Sequence, residues 1–362
     1  MKKHVLVVTA VLAVMVSVVF GNDGAGVEWV VVKNSPFGGG RVNSIAWGKD
    51  KFVAVGDGGK MAYSLDGVTW TVVKNSTFNN AINAIAWGKD KFVAGNVYYP
   101  CEECVYGQIA YSSDGINWKK ASDDNRISDI VWGNDKFLGS HSDGNGGYGI
   151  VYSSDGITWI NSSFYCNGGT ISFSWGNNKF VAVGGGCGGD SYNGEDDYNF
   201  AYSSDGITWT GTGKIPFVES STSAIAWGNG VFVAGSYDGQ IVYSSDGITW
   251  KNKYPSTPRK QNLNRKIIYV ENGRVDMNAP VTNSPFGNAI IHSIVWGNDK
   301  FVAGGGKWED KYRNGKMMYS LDGKTWTLVE NYPFGKSPTT VIAYGNGVFV
   351  AGSGDGQIAY SK

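Results

Sequence analysis

The sequence has no excess of charge of either sign: Lys plus Arg number 31, and Asp plus Glu number 31. That balance removes the general electrostatic argument for a nucleic-acid or anionic-membrane partner. Histidine is scarce. Beyond His4 there are only His141 and His292, and no G-x-S-x-G elbow accompanies them, so nothing points to a Ser-His-Asp hydrolase. P-loop and dinucleotide fingerprints are absent as well, because "GGGCGG" and "GDGG" lack a strand-to-helix context. Arginine numbers only six: Arg41, Arg126, Arg259, Arg265, Arg274 and Arg313. After the first twenty residues no stretch is long and apolar enough to cross a membrane as a helix.

What the chain has in quantity is glycine, 53 residues, and aromatics, 14% of the total. That composition predicts short strands joined by tight turns in an all-β chain. The start, "MKKHVLVVTAVLAVMVSVVFGND", carries Lys2 and Lys3 before an apolar run from Val5 to Phe20. It reads as a secretory signal peptide over residues 1–21, cut near Gly21; an uncleaved anchor is the alternative. No Cys follows, which speaks against a lipoprotein. Secretion, to a periplasm, a cell surface or the medium, predicts an oxidising surrounding in which disulfides persist. The four cysteines allow three pairings. Cys101–Cys104 and Cys166–Cys187 are the expected bonds: the first would pinch the tip of its own loop, and Cys166, in a blade-to-blade connection, is expected on the same face of one blade as Cys187, in the next second-to-third strand loop. A redox "CEEC" lacks a βαβ context, and no second CxxC or nearby His completes a metal site.

Two motifs alternate along the rest. "YSSDGITW" stands unchanged at Tyr152, Tyr202 and Tyr243, with near-copies at Tyr63, Tyr111 and Tyr319. Between them runs a second motif of the type "SIAWGKDKFVAVG", centred on Trp47, Trp87, Trp132, Trp175, Trp227, Trp296 and Tyr344. Its spacing of roughly 40–70 residues is a repeat period, and with strands it predicts propeller blades. Each unit reads as four strands: a hairpin turning at W-G-x-x, then a hairpin turning at Asp-Gly, the latter expected as a two-residue type I′ turn. The chain ends on a third strand, "GQIAYSK", while Gly26-Val27-Glu28-Trp29 near the start matches a fourth. The expectation is therefore a single seven-bladed β-propeller over residues 22–362, its four-stranded antiparallel blades closed by the N-terminal strand. Thirteen of the 14 Trp residues belong to the repeat and are expected in the core; Trp308 does not.

The repeated octapeptide resembles the Asp-box, or BNR repeat, of the sialidase-like propeller superfamily, S-x-D-x-G-x-T-W, except that here Asp and Gly are adjacent, as in Asp66-Gly67. The resemblance spans nearly the whole mature chain and implies architecture. In that superfamily the boxes lie at the blade periphery, away from any active site, and hosts include sialidases, other glycosidases, receptors and assembly factors. The sialidase signatures themselves are missing: no Arg-Ile-Pro stands near the N-terminus, and "KIPF" at Lys214 has Lys in place of Arg. The six copies are thus scaffold. Ser and Asp bond turn backbone, Gly supplies a positive φ, and Tyr and Trp fill the space between sheets.

Function is expected where the blades differ. The long segments, Asn96–Gly107, Ser140–Gly149, Gly184–Phe200, Gly304–Lys316 and the insert at 251–291, all fall on one face. The insert includes an extra hairpin turning at Asn272-Gly273 and a basic stretch, "PRKQNLNRK". Candidate ligand-binding residues on these loops are Tyr99, Tyr148, Tyr192, Trp308 and Tyr312. At the mouth of the central channel the candidates are Arg41, Asn43, Asn83, Arg126, Ser128 and His292, with Ser223 and Thr340 on the same strand parity. No catalytic residue is assigned, although loop acids such as Glu102, Asp143, Asp190, Glu195 and Glu309 keep a two-carboxylate glycosidase open. The oxygen-rich loops Asp190–Asn199 and Ser142–Gly147 keep calcium open; otherwise no cofactor or metal is expected. The reading is a monomeric, secreted, non-catalytic module that binds a glycan or a partner protein through its decorated face. A glycosidase-like enzyme and a structural or assembly factor are the alternatives.

Overall fold

The computed structural model describes residues 27–101, 104–122, 126–142, 147–187, 198–212, 222–254, 270–271, 274–275, 284–287, 289–307 and 314–362. The expected signal segment, Trp308, Tyr192 and Tyr312, and most of the two oxygen-rich loops lie outside them.

The chain builds seven four-stranded antiparallel blades in a ring. Blade I comprises β2 (Val42–Gly48), β3 (Lys51–Gly56), β4 (Met61–Ser64) and β5 (Thr71–Val72), in that order from the axis outward. The same order repeats through blade VI. Blade VII uses β27 (Thr339–Gly345), β28 (Val348–Ser353) and β29 (Ile358–Ser361), and its outer strand is β1 (Trp29–Val31). Trp29 pairs with Ser361, Val30 with Tyr360 and Val31 with Ala359, so the first strand of the propeller closes the last blade. The innermost strands touch their neighbours all the way round, the last meeting the first.

One expectation about the strand connections needs correction. The type I′ geometry, with positive φ at both central residues, belongs to the W-G-x-x turns: Lys49 and Asp50 have φ of 45° and 59°, and Asn134 and Asp135 of 43° and 56°. At the Asp-Gly turn only the glycine has positive φ, 77° at Gly67. The reason is local hydrogen bonding. Ser64 Oγ–H donates to Asp66 Oδ1 at 2.9 Å, and the Gly67 N–H donates to Ser64 Oγ at 2.8 Å. Asp66 Oδ1 also accepts the N–H groups of Val68 and Thr69, both at 2.8 Å. The carboxylate thus organises a six-residue loop, as an Asx turn does, in place of a two-residue hairpin.

Two neighbouring blades share a strand. One strand, β13 (Ile160–Gly176), runs unbroken from the outer edge of blade III to the inner edge of blade IV. In the insert, Val270 and Glu271 pair with Val275 and Arg274, a short hairpin at the expected place; its turn residues lie outside the described set.

Packing between blades follows from the Trp-Gly pair. The glycine after each Trp receives the aromatic ring of the next blade. A Cβ built on Gly48 would lie 2.0 Å from Trp87 Cγ, and one on Gly228 would lie 2.1 Å from Trp296 Cγ. The seventh contact, Gly345 on Trp47, completes the circle. On that same face, lysines tie neighbouring turns together: Lys51 Nζ donates to the Asp114 carbonyl at 2.9 Å and Lys91 Nζ to that of Asp155 at 2.7 Å.

Candidate functional site

The inner strands begin at the end of the ring where the second and third strands of each blade connect; Val42, for example, faces Gly56. Most of them share an irregularity at that end. Register shifts fall between Val42 and Ser44, Ile127 and Asp129, Thr222 and Ala224, Ile291 and Ser293, and Thr339 and Val341. The residues skipped are Asn43, Ser128, Ser223, His292 and Thr340. Each is a β-bulge residue, left out of the ladder and re-aimed, as bulges beside functional sites commonly are.

These residues surround a cavity of about 270 Å³ at the channel mouth, lined by Arg41, Asn43, Asn83, Ser128, Ser172, Thr222, Ser223, Tyr237, His292 and Thr340. Ser172 and Thr222 escaped sequence reading, since simple alternation does not anticipate a shift in register. Tyr237, between the second and third strands of its blade, joins the lining as well. Arg126 is not part of the lining; its Nη1 lies 3.4 Å from the Ser142 carbonyl, within its own blade.

Several lining side chains are already committed to the scaffold. Ser223 Oγ donates to the Ile291 carbonyl of the next blade at 2.6 Å, and Thr340 Oγ1 donates to that of Val42 at 2.5 Å. Asn43 Nδ2 reaches the Ile82 carbonyl at 3.0 Å. Ser128 Oγ lies 3.1 Å from Ser140 Oγ. The first three contacts stitch blade to blade, whereas Ser128 and Ser140 belong to one blade. Asn83 differs: its Oδ1 accepts the Val97 N–H at 2.8 Å, a contact within its own blade. Thr222 Oγ1 is buried without a hydrogen-bond partner.

Arg41 is the one charged side chain in the lining. Burial pulls its pKa down, while Asp57 and Tyr237 act the other way. The Asp57 carboxylate is shared, because its Oδ2 accepts the Arg41 backbone N–H at 2.9 Å and its Oδ1 lies 3.3 Å from Asn43 Nδ2. Burial, helped by the Arg41 charge, pushes the His292 imidazole down to about 4, so it is neutral at pH 7. Beside the lining, Asp129 accepts the N–H groups of Ile130 at 2.9 Å and Phe173 at 3.2 Å. Burial nevertheless raises its carboxyl to about 6. Part of the residue reaches solvent, but its oxygens turn inward.

On the loops, Tyr99 is 55% exposed, and Tyr106, 52% exposed, stacks on Tyr98 at 5.7 Å. They ride on a long arm, Lys91–Cys101 paired with Cys104–Ser112. Its first strand has five residues more than Lys51–Gly56, about 17 Å of extra reach. Tyr148 is different: it packs against the core cluster around Leu138, Ile150 and Phe180, so it braces the blade and offers no open platform. The cysteine backbones sit opposite one another, Cys101 with Cys104 and Cys166 with Cys187.

No family model and no curated protein matches the chain. Solved structures do. "YCF48 bound to D1 peptide" superposes with a TM-score of 0.58 at 13% identity, covering 94% of this chain and 97% of that one. Virginiamycin B lyase from Staphylococcus aureus gives 0.62 at 13%, covering 93% and 99%. The WD40 β-propeller domain of Doa1 gives 0.54 at 13%, covering 92% and 95%. At such identities the likeness carries the propeller fold and nothing finer.

Proposed function

We propose that this chain is a non-catalytic binding propeller that holds a segment of a partner protein on its loop-rich face. The observation that carries the reading is the polar cavity at the channel mouth, which opens on the face that also bears the tyrosine arm. Exposed tyrosines supply large contact area at low entropic cost, and a few fixed polar groups supply orientation. Among the described residues, the lining contains one cation and no carboxylate. A two-carboxylate glycosidase would need the reverse. One similar structure is of YCF48 bound to a D1 peptide. The stacked Tyr98–Tyr106 pair also suits a sugar ring, and a glycan is the second reading. On the reading of the N-terminal segment as a signal peptide, the module acts outside the cytoplasm. The Asp-box resemblance supports the propeller architecture alone, and the missing sialidase signatures favour a non-catalytic role.

Selection of a random peptide library on the immobilised protein, beside a glycan array, tests this. Enrichment lost in a Tyr99→Ser/Tyr106→Ser double variant supports the peptide reading. Glycans alone bound transfers the role to the second reading. Enrichment unaffected by the double variant moves the site off this face, and silence in both formats ends the binding reading.

A further inference from the structure

We infer that the outer rim of blades VI, VII and I is a second docking surface, which takes an extended segment of a partner protein rich in aliphatic and acidic residues. This surface is separate from the channel mouth and from the tyrosine arm.

Seven copies of one sheet can be compared position by position. On the outer strand, the residue paired with the one before the repeat Tyr is Leu328 in blade VI, Val31 in blade VII and Val72 in blade I. In blades II to V the same position holds Lys120, Asn161, Gly211 and Asn252. The Asp-Gly loop repeats the division. Its residue before the Asp is Leu65 in blade I and Leu321 in blade VI, against Ser113, Ser154, Ser204 and Ser245 in blades II to V. Blade VII, assembled from the two chain ends, has no such loop. Two separate positions thus turn from polar to aliphatic along the same arc.

These five side chains are between 38% and 62% exposed. Of the other exposed aliphatics among the described residues, Val68 shares the loop of Leu65, while Ile160 and Ile248 stand apart on blades III and V. Single exposed aliphatics need no explanation, whereas neighbouring ones mark an interaction site. The fold does not ask for them, since blades II to V build the same hairpin with polar residues there. Blades VI, VII and I are consecutive in the ring, and their outer strands form its rim. A rim is convex, so a bilayer or a second propeller touches it about one blade at a time. An extended segment lying along the rim meets all three. Charge narrows the choice further. Two residues beyond Leu328, Val31 and Val72 stand Glu330, Lys33 and Lys74, all exposed. Cations on two of the three blades favour acidic residues in the segment.

The probe is a library of random linear peptides about 16 residues long, roughly 50 Å when extended. Selection runs on the immobilised protein, with counter-selection on a Leu65→Ser/Val72→Asn/Leu321→Ser/Leu328→Asn variant. Each replacement is a residue that another blade carries at the same position, and thermal melts establish that the variant folds. The expected result is enrichment of aliphatic, acidic peptides that bind the variant about tenfold or more weakly than the parent. Lys33→Glu/Lys74→Glu weakens them by a similar factor, and Tyr99→Ser/Tyr106→Ser leaves them unchanged. Equal enrichment on parent and variant, or none on either, overturns the docking surface. Enrichment of basic peptides overturns the charge assignment. Light scattering that shows the parent self-associating and the variant monomeric gives the surface to a second copy of the chain. Binding to phosphatidylcholine vesicles that the variant loses gives it to a bilayer. Either of these two outcomes overturns the extended segment as occupant. Loss of binding in the tyrosine double variant merges this surface with the loop-rich face and overturns its independence.

Discussion

The residues that do most for this fold are those a propensity table rates lowest. The glycine after each repeat Trp is fixed by what lies against it: a Cβ on Gly228 would overlap the Trp296 ring. Gly228→Ala is therefore expected to destabilise by about 1–3 kcal/mol through overpacking, read as a lower urea midpoint. Gly230→Ala, at a turn glycine with open space around it, separates this from backbone strain, since φ there is 73°. The two buried titratable groups of the channel make a second residue-scale case, and their signs oppose. Unfolded His takes a proton near 6.5 and His292 only near 4, so stability is present above 6.5 and lost as pH falls through that window. Unfolded Asp titrates near 3.8 and Asp129 near 6, so its contribution is full below 3.8 and lost as pH rises towards 6. They amount to at most about 3.5 kcal/mol for His292 and about 3 kcal/mol for Asp129, at ~1.4 kcal/mol per pH unit. Wild-type stability should thus change little between pH 6 and 4 on their account. His292→Gln should become more stable on acidification across that range, and a loss of stability there would refute the opposition. Sequence reading located His292 and Arg41 from strand parity. It could not tell that Ser223 and Thr340 are used up on carbonyls, because bulge geometry is a property of backbone register.

At the scale of the element, the Asp-Gly loop shows why a correct motif still gave an incorrect turn. A dipeptide rule sees Asp-Gly between strands, but Ser64 two residues earlier offers a hydroxyl that accepts the Gly67 N–H and holds the carboxylate in place. In the copy at Ser244, Asp246 Oδ1 accepts the N–H groups of Ile248 and Thr249 at 2.8 and 2.7 Å, and these bonds draw its pKa down to about 2, against the opposing pull of burial. Asp246→Ala, which returns these exposed N–H groups to water and takes the acceptor from the buried Ser244 hydroxyl, is expected to cost about 0.5–1.5 kcal/mol, measured by denaturant unfolding. Asp246→Asn should cost less, because its amide oxygen still accepts. The cysteines supply the other element-scale prediction. Partners in an antiparallel pair have Cα atoms about 4.5–5.5 Å apart, within reach of a disulfide. The register therefore favours Cys101–Cys104 and Cys166–Cys187. Non-reducing peptide mapping should recover those two linkages, and a crossed pairing would contradict the register.

At the scale of the molecule, the count of seven was legible because each blade repeats its own pattern, and the ring was legible because the two chain ends carry complementary fractions of one blade. The decorated face was only partly legible: variation marks where loops differ, while the identity of an open platform depends on packing, which separates Tyr99 from Tyr148. Closure makes the whole stability hinge on a three-residue strand. Trp29 is buried against Phe349, Val302 and Ala351, the Lys362 N–H donates to the Glu28 carbonyl at 3.0 Å, and Lys362 Nζ meets the Glu28 carboxylate at 2.9 Å. The ion pair is exposed on both sides and adds little. The buried indole matters more. Trp29→Ala is expected to cost about 3–5 kcal/mol, whereas Glu28→Gln should leave the melting temperature nearly unchanged. Any processing of the N-terminus must likewise stop short of this strand. A truncation that begins the chain at residue 33 removes the partner of Ile358–Ser361 and leaves that strand as an open edge beside an uncovered core, a geometry that favours pairing with another copy. Size-exclusion chromatography with light scattering should show self-association of that truncation, with the chain starting at residue 22 as the reference. A truncated chain that stays monomeric and melts like the reference would mean that the ring does not depend on its closing strand.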